Sequence, residues 1–410
     1  MSTKDFADGR ALTILLTGGR APVTLELARS FHAAGHRVLV AESARFHLCR
    51  VSRAVARSFQ VPPPNPDTEP FLAALESIVT TERVDVLIPT CEEIFYVARG
   101  LDRLHPHCKV WAPPIEQLRE LHDKWRFVML AERLGLPTPS TKLIQTREDW
   151  LALAAAEPIR ESFVLKPAYS RFASQVLFMH EEDSLDNRRR MLKDNVSAVS
   201  PAAPWVAQRL VHGRHICTYS VAFEGQLIAH SAYPSRYRVG QGASVYFESV
   251  EHETSLAWVR SLVQAIRYTG QIAFDFIEEA DGRLYAIECN PRATSGVHLF
   301  GTGEGLVTAF LHPSKLTIAG TLLTPHASSG AMLTLPMVAA GLGGIRSISE
   351  LRHWRRAFRS ARDVVFSAAD PRPYAEQLLL LADAWRTSRK RGIKLVQATT
   401  IDIEWNGDRP

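Results

Sequence analysis

The chain has 410 residues, enough for two or three domains with cores of their own. Hydrophobic residues make up 46% and charged residues 22%, as in an ordinary globular protein. No apolar run reaches the roughly 18–20 residues that a membrane span needs, and the polar N-terminus does not resemble a signal peptide. The five cysteines show no paired CxxC spacing, which favours reduced thiols over a disulfide framework or a zinc site. We therefore expect a cytoplasmic protein.

The surplus of positive over negative charge lies at one end of the chain. The net charge is +5. Residues 326–410 contain 13 Lys and Arg against 8 Asp and Glu, and the remaining residues contain 35 of each kind. The basic surplus therefore belongs to the C-terminal segment.

The first 112 residues are predicted to form a Rossmann-like α/β domain. An apolar strand, Leu12–Thr17, is followed by the turn TGGR, the helix Val23–Ala34 and the strand Arg37–Ala41, which is a βαβ unit. The turn is not GxGxxG, so the dinucleotide fingerprint is absent, and its glycines are explained by a tight turn. Glu92 follows the buried strand Val84–Pro89, at the edge where open α/β sheets bind ligands. We expect Glu92 either to contact an amine substrate or to start the next helix.

A lysine stands alone in the apolar strand FVLKP, at Lys166. Burying an unpaired charge is costly, so this lysine is expected to have an anionic partner. The hydroxyls of Ser170 and Ser174, together with backbone N–H groups of the same loop, are candidates to bind phosphate.

A basic segment between residues 233 and 247 contains Arg236 and Arg238. Two interpretations stay open for it: Arg238 contacts a carboxylate or acyl phosphate substrate, or the segment is a surface hairpin.

The stretch 270–300 carries the strongest signal. Two apolar runs flank an Asp281-Gly282 turn, which indicates a hairpin. Because side chains alternate along a strand, the hairpin is expected to bring Asp275, Glu288 and Asn290 to one face. Their hard oxygen atoms suit Mg²⁺, and Arg292 just beyond them suits phosphate or carboxylate.

Beyond residue 326 we predict a helix over 348–365, a helix over Tyr374–Lys390 and a final strand over Lys394–Ile403. The first helix carries a stripe of arginines. A stripe of this kind is a solvated face or a docking surface for an acidic substrate or partner. It has no RNA-binding motif and little aromatic interleaving, so nucleic acid is not expected.

The order of these features resembles the ATP-grasp superfamily, over about residues 11–312. The pattern consists of an Asp-Lys pair before a helix and a GLPTP stop, the strand lysine, and Asp275 followed after thirteen residues by Glu288-Cys-Asn290-Pro-Arg292. The lid loop after Lys166 departs from the family because it lacks glycine.

The resemblance implies a set of ATP contacts. Lys124 and Lys166 are expected at the phosphates, and the strand segment Gln208, Arg209 and Leu210 at the adenine. His215 stands where the family often has an acidic residue that contacts the ribose. His298, in the small-residue loop after Arg292, is expected to line the substrate site.

The fold implied is α/β and α+β. It comprises an N-terminal domain over 1–112, an ATP-grasp core of two subdomains over 113–325 with its lid at about 138–210, and a small C-terminal α+β domain over 326–410. The activity implied is that of an ADP-forming ligase, in which ATP and Mg²⁺ (two ions, with Mn²⁺ as an alternative) activate a carboxylate as an acylphosphate for attack by an amine. The expected partners are small molecules, amino acids among them, without a membrane, and the resemblance allows a homodimer. Two alternatives stay open: bicarbonate phosphorylation of the carboxylase or carbamoyl phosphate type, and a non-catalytic nucleotide-binding regulator.

Overall fold

The computed structural model describes residues 6, 9–155, 162–169, 176–238, 244–326, 329–343 and 345–407. The strands in chain order are β1 (Thr13–Thr17), β2 (Arg37–Glu42), β3 (Arg57–Gln60), β4 (Val86–Ile88), β5 (Lys109–Val110), β6 (Thr141–Ile144), β7 (Phe163–Pro167), β8 (Leu177–Met179), β9 (Trp205–Arg209), β10 (Arg214–Phe223), β11 (Gln226–Pro234), β12 (Tyr246–Glu248), β13 (Gly270–Glu278), β14 (Leu284–Asn290), β15 (Gly330–Met332) and β16 (Arg362–Asp363).

The helices in chain order are α1 (Pro22–Ala33), α2 (Thr68–Thr81), α3 (Glu93–Arg99), α4 (Leu101–Leu104), α5 (Ile115–His122), α6 (Lys124–Arg133), α7 (Arg147–Ala155), α8 (Leu185–Asn195), α9 (Glu253–Ala265), α10 (Glu304–Leu311), α11 (Pro313–Ile318), α12 (Thr334–Gly343), α13 (Ile348–Ser360), α14 (Arg372–Arg391) and α15 (Leu395–Ala398). Short 3₁₀ helices cover Leu48–Val51, Val196–Ala198 and Ser295–Phe300. No helix in the described ranges combines the length and the apolar character that crossing a membrane requires.

The chain divides into two compact units. The first contains the residues up to Leu118, Ile216–Ala273 and Asn290–Trp405, and the second contains Arg119–His215, Phe274–Cys289 and the residues after Trp405. The boundary falls within β13 and again before the last residue of β14.

The N-terminal region of the first unit is a parallel five-stranded sheet with the order β3-β2-β1-β4-β5. Its central strand β1 is apolar on both faces, as expected for a sheet covered on both sides, and Ile14 and Leu16 are buried against α1 residues such as Phe31. The glycine turn after β1 is explained by packing, because Gly18 has φ +75° and a Cβ there would lie 2.4 Å from a carboxylate oxygen of Glu93. The Rossmann-like prediction is confirmed.

The second unit contains an antiparallel four-stranded sheet with the order β6-β9-β7-β8. Trp150, Leu165 and Trp205 are buried in its core. The two tryptophans meet edge to face at 5.2 Å between ring centroids.

A further sheet has the order β11-β10-β13-β14, and the predicted hairpin turn is present, with Gly282 at φ +85°.

The C-terminal segment contains the strands β15 and β16 and the helices α12 to α15, and β15 pairs with β12 in the small sheet β12-β15-β16. The mixed α/β and α+β class is confirmed, but the predicted strand over Lys394–Ile403 is wrong. The chain there forms α15 and turns, because the side-chain oxygen of Gln397 accepts a hydrogen bond from the Lys394 N–H at 3.1 Å and closes the first helical turn. The helix predicted over 348–365 also ends early, at Ser360, since the chain then enters β16.

Candidate active site

The Asp-Lys pair lies at the junction of α5 and α6 rather than inside one helix. Asp123 is the N-cap of α6, and its carboxylate accepts hydrogen bonds from the N–H groups of Trp125 at 2.9 Å and Arg126 at 3.0 Å. The cap fixes the start of the helix, and with it the position of Lys124. The side chain of Lys124 is only 3% exposed, and its Nζ lies 3.7 Å from Glu288 Oε1. Lys124 is therefore not a solvated surface lysine.

Lys166, like Lys124, is a buried lysine of the second unit and is 7% exposed. Its Nζ donates to Gln208 Oε1 at 2.9 Å and to the backbone carbonyl of Ile287 at 3.0 Å. Both of these acceptors are neutral. The hydrogen bonds orient the ammonium group, but they do not balance its charge.

The electrostatics of Lys166 reflect this arrangement. Burial, and then repulsion from Lys124, lower the pKa of Lys166 from its usual 10.5 to about 8. The carboxylates of Glu288 and Asp275 act in the opposite direction and raise the pKa. The two lysines and the two carboxylates are therefore electrostatically coupled, and the carboxylates do not fully offset the effect of burial on the pKa of Lys166.

The predicted metal ligands lie on the hairpin strands. Asp275 is half-buried in β13, Glu288 is half-buried in β14, and Asn290 is the last residue of β14. In the described ranges, no group of three or more His, Cys, Asp and Glu side chains is placed to hold a metal ion. The predicted set has two carboxylates and one amide, so it does not depend on such a group. Hard oxygen donors beside two lysines suit Mg²⁺ that also contacts phosphate.

Arg292, in the first unit, is held close to its own strand. Its Nη2 donates to Asn290 Oδ1 at 3.0 Å, and its Nη1 donates to the carbonyl of Ala293 at 3.2 Å. Glu92 Oε1 lies 3.9 Å from Nη2, and Glu92 is fully buried. The guanidinium is 15% exposed.

Glu92 is the N-cap residue of α3, but its side chain makes no capping hydrogen bond to the helix. Its Oε2 instead accepts a hydrogen bond from the N–H of Trp405 at 3.2 Å. Trp405 also stacks on Phe95, with 4.4 Å between ring centroids. This contact between the end of the first sheet and the C-terminal segment was not predicted, since it joins residues 313 positions apart.

The predicted adenine segment is already hydrogen-bonded within the protein. Gln208 holds Lys166 with its side-chain oxygen and donates to Thr141 Oγ1 at 3.0 Å. The N–H groups of Arg209 and Leu210 donate to the carbonyls of Ser140 and Ser162. Gln208 thus positions a lysine, a role that its sequence context did not indicate. The adenine contacts stay a prediction, with the segment's backbone carbonyls as candidate atoms.

The other predicted residues occupy varied surroundings. His215 is half-buried in β10. His298 is buried, with Nδ1 3.1 Å from Glu26 Oε2. Its backbone carbonyl accepts a hydrogen bond from Arg362, which also pairs with Glu26. These contacts explain His298 as a packing residue, and its substrate role stays a prediction.

Arg238 is half-buried and forms an isolated bridge with Ser244. The hydroxyls of Ser170 and Ser174 lie outside the described residues.

A second charged cluster, which the sequence did not predict, lies at the carboxyl edge of the parallel sheet. The guanidinium of Arg20 donates to Glu42 Oε1 and to both carboxylate oxygens of Asp402, at 2.7 Å each for the latter. Ser43 donates to Asp402 as well. Burial opposes the ionisation of Glu42, but Arg20 holds the pKa of that carboxyl at about 2. Here every buried charge has a partner of opposite sign.

Comparison with known proteins identifies the class of domain that carries the lysine pair. Residues 121–296 match the family model described as an ATP-grasp domain. The chain therefore contains an ATP-grasp domain, and the resemblance found in its sequence is confirmed.

Curated relatives match about half of this chain. The C-terminal section of the carbamoyl phosphate synthase large chain from Methanopyrus kandleri is 25% identical over 205 residues, which is 47% of this chain and 37% of that protein. The large chain from Clostridium beijerinckii is 26% identical over 199 residues, which is 47% of this chain and 18% of that protein. The chain thus spans well under half the length of these relatives.

Solved structures share the fold at low sequence identity. N5-carboxyaminoimidazole synthetase from Staphylococcus aureus, complexed with ADP, is 16% identical with a TM-score of 0.57, covering 74% of this chain and 79% of that one. The L-amino acid ligase from Bacillus licheniformis is 15% identical with a TM-score of 0.54, covering 73% and 74%. These similarities show a shared fold that extends beyond the matched domain.

Proposed function

We propose that the chain is an ATP-dependent ligase that phosphorylates a carboxylate and transfers the resulting acyl group to an amine, releasing ADP and phosphate. The observation that carries the proposal is the lysine pair of the ATP-grasp domain. Two buried lysines share one neighbourhood with two carboxylates, and in the described part of the chain Lys166 donates its hydrogen bonds to neutral oxygens. A buried lysine with a purely structural role would be expected to make a direct ion pair, as buried charges generally do.

In this proposal the protein binds and orients the reactants and provides no nucleophile of its own. Lys124 and Lys166 contact phosphate oxygens of ATP, and their charges stabilise the transferring group. Gln208 and the carbonyl of Ile287 hold Lys166 in position, so that it need not reorient when phosphate binds.

Asp275, Glu288 and Asn290 would hold Mg²⁺, which when bound neutralises phosphate charge. Arg292 contacts the carboxylate substrate or the phosphoryl group transferred to it, since its planar fork can bind two oxygens at once.

Glu92 is a candidate for the amine substrate, because a buried carboxylate stabilises a nearby ammonium group. Arg238 and His298 remain proposed substrate residues on sequence grounds alone. The proposed substrates are small molecules, and amino acids are the first class to test.

The test is to trap the activated carboxylate. The protein is incubated with ATP, Mg²⁺ and single carboxylates, and hydroxylamine is added as a substitute for the amine. We expect one carboxylate class to give a hydroxamate together with ADP in equal amounts. Formation of AMP and pyrophosphate in place of ADP would contradict an acylphosphate route.

A second candidate is phosphorylation of bicarbonate, which the similarity to carbamoyl phosphate synthase favours. The discriminating measurement is ADP release with bicarbonate alone. Bicarbonate-dependent ADP release without any organic carboxylate would support this candidate, whereas release that depends on an organic carboxylate supports the ligase.

A further inference from the structure

A groove separate from the lysine pair lies in the first unit, between the small sheet and α13. Its volume is about 540 Å³. The residues that matter for its chemistry are Arg236, Tyr237, Tyr246, Glu248, His353 and Arg356. Arg238 does not line it.

The groove has a packed floor. Trp354 and Phe358 of α13 stack at 5.0 Å between ring centroids and pack with Met337 and Tyr246. The indole of Trp354 donates to the carbonyl of Met337 at 3.3 Å. One face of α13 is therefore fixed against the core.

The same helix lines the groove with two polar side chains, those of His353 and Arg356. His353 and Arg356 are three residues apart, so they project from one face. His353 Nδ1 donates to the Ser349 carbonyl at 2.9 Å, which fixes the orientation of its ring. Arg356 is exposed, and in the described part of the chain its guanidinium has no ion pair.

The sheet side of the groove supplies a second arginine. Arg236 pairs with Glu248 at 2.9 Å, so one acid balances one of the two guanidinium groups. Glu248 therefore leaves the positive charge of Arg356 without a balancing acid among the groove residues. A groove with two forked donors and one acid favours an anion.

Two tyrosines complete the wall. Tyr237 and Tyr246 meet edge to face at 5.6 Å between ring centroids, an arrangement in which each ring restrains the other. Burial raises the pKa of both hydroxyls. They therefore stay protonated near neutral pH and can donate hydrogen bonds to an anion.

We infer that this groove binds a small molecule carrying a phosphate monoester. Guanidinium groups bind phosphate through paired hydrogen bonds, and the volume lies in the range of sites for small organic ligands rather than for inorganic phosphate alone. The aromatic wall accommodates a ring attached to the phosphate. The inference does not rest on the proposed ligase activity, because its test needs neither ATP nor turnover.

The test uses phenyl phosphate as the probe, titrated into the full chain by calorimetry without ATP or Mg²⁺. We expect saturable binding that weakens at least about tenfold in Arg356→Gln, as when a hydrogen bond to a charged group is lost. Arg355→Gln is the matched control, since it removes the same charge from the same helix but from a residue outside the groove. Its affinity should stay at the wild-type value. Glu248→Gln should bind more tightly, because it frees Arg236.

Three outcomes would overturn the inference. One is the absence of saturable binding to the wild-type chain at millimolar phenyl phosphate. Another is an equal loss in Arg355→Gln and Arg356→Gln, which would indicate attraction by the helix charge alone. The third is tighter binding of citrate than of phenyl phosphate, which would assign the groove to carboxylates. Thermal melting of each variant confirms that these exposed substitutions leave the chain folded.

Discussion

Arg20 and Lys166 are both buried cations, but they differ in the groups that contact them. Arg20 contacts two carboxylates, those of Glu42 and Asp402. Burial alone would lower the pKa of Arg20, and the two acids more than reverse this. Lys166 has neutral hydrogen-bond acceptors and a lowered pKa. A buried cation held in direct ion pairs stabilises a fold, whereas one that is held by neutral acceptors is suited to an anionic ligand.

The largest expected effect is on turnover, from a change at the site of the two lysines. Glu288→Gln removes a proposed metal ligand, and it also removes the carboxylate next to Lys124. We expect turnover to fall about 1,000-fold or more, since metal coordination is worth several kcal/mol to the transition state. Steady-state ADP release measures this. Turnover close to that of the wild type would contradict the metal role of Glu288.

Breaking the ion pairs of Arg20 should cost stability instead. Arg20→Met leaves Glu42 buried without its cation, so the free energy of unfolding should fall by about 3–5 kcal/mol. Urea unfolding measures the loss. The paired control is Lys166→Met, which should cost little or nothing, because it removes a buried charge whose hydrogen-bond acceptors are neutral. Equal losses in the two variants would contradict a difference between these two buried cations.

Arg292 lies between these extremes, since it has neutral partners nearby and Glu92 at 3.9 Å. Arg292→Lys keeps the charge but loses the fork. We expect ATP affinity to stay within a few-fold while turnover falls about 100-fold, the scale of losing one donor in a charge-stabilising site. Turnover and nucleotide binding are measured separately, at saturating substrates. Retention of most turnover would make Arg292 a structural residue.

Lys166→Met should weaken ATP binding by roughly 10–100-fold, as expected when a charged hydrogen bond is lost. Lys142→Met is the control, because Lys142 is an exposed lysine in the same sheet. Calorimetric titration with ATP compares them. An unchanged affinity in Lys166→Met would show that the lysine serves the fold.

The smallest effect is a dependence on pH. The pKa of Lys166 is about 8 in the folded chain, against 10.5 ordinarily. Below pH 8 the folded state carries the full cost of the buried charge, and this cost is relieved as pH rises from about 8 towards 10.5. ATP binding should favour the protonated form, so near pH 8 the chain should take up a fraction of a proton. Titrations in buffers of different ionisation enthalpy measure this uptake, and Lys166→Met should abolish it.

Much of the ATP-grasp domain could be predicted because its signals are local. Lys166 stands out as the one charge in an apolar strand, and the alternation along β14 relates Glu288 to Asn290. Neither signal depends on distant residues. The same is true of the β1–α1 turn, where positive φ and close packing require glycine.

The unpredicted features depend on contacts between residues far apart in the chain. Gln208 and the carbonyl of Ile287 hold Lys166 from 42 and 121 residues away. The capture of Glu92 by Trp405 likewise has no local signal. The wrong strand at Lys394–Ile403 had a different cause: its apolar and β-branched residues favour strand, and one side-chain contact at Gln397 was enough to start a helix.

The ion pairs between Arg20 and Asp402 also constrain how the chain folds during synthesis. The partners are 382 residues apart, so the first sheet is synthesised long before Asp402 leaves the ribosome. Until then Arg20 lacks its second carboxylate, and the face of Phe95 that later stacks on Trp405 stays uncovered. Contacts between residues so far apart form slowly, because the chain between them loses conformational entropy before the stabilising contacts are made. The carboxyl edge of the first sheet is therefore the last part of this unit to close, and the part most exposed to chaperones and proteases in a nascent chain.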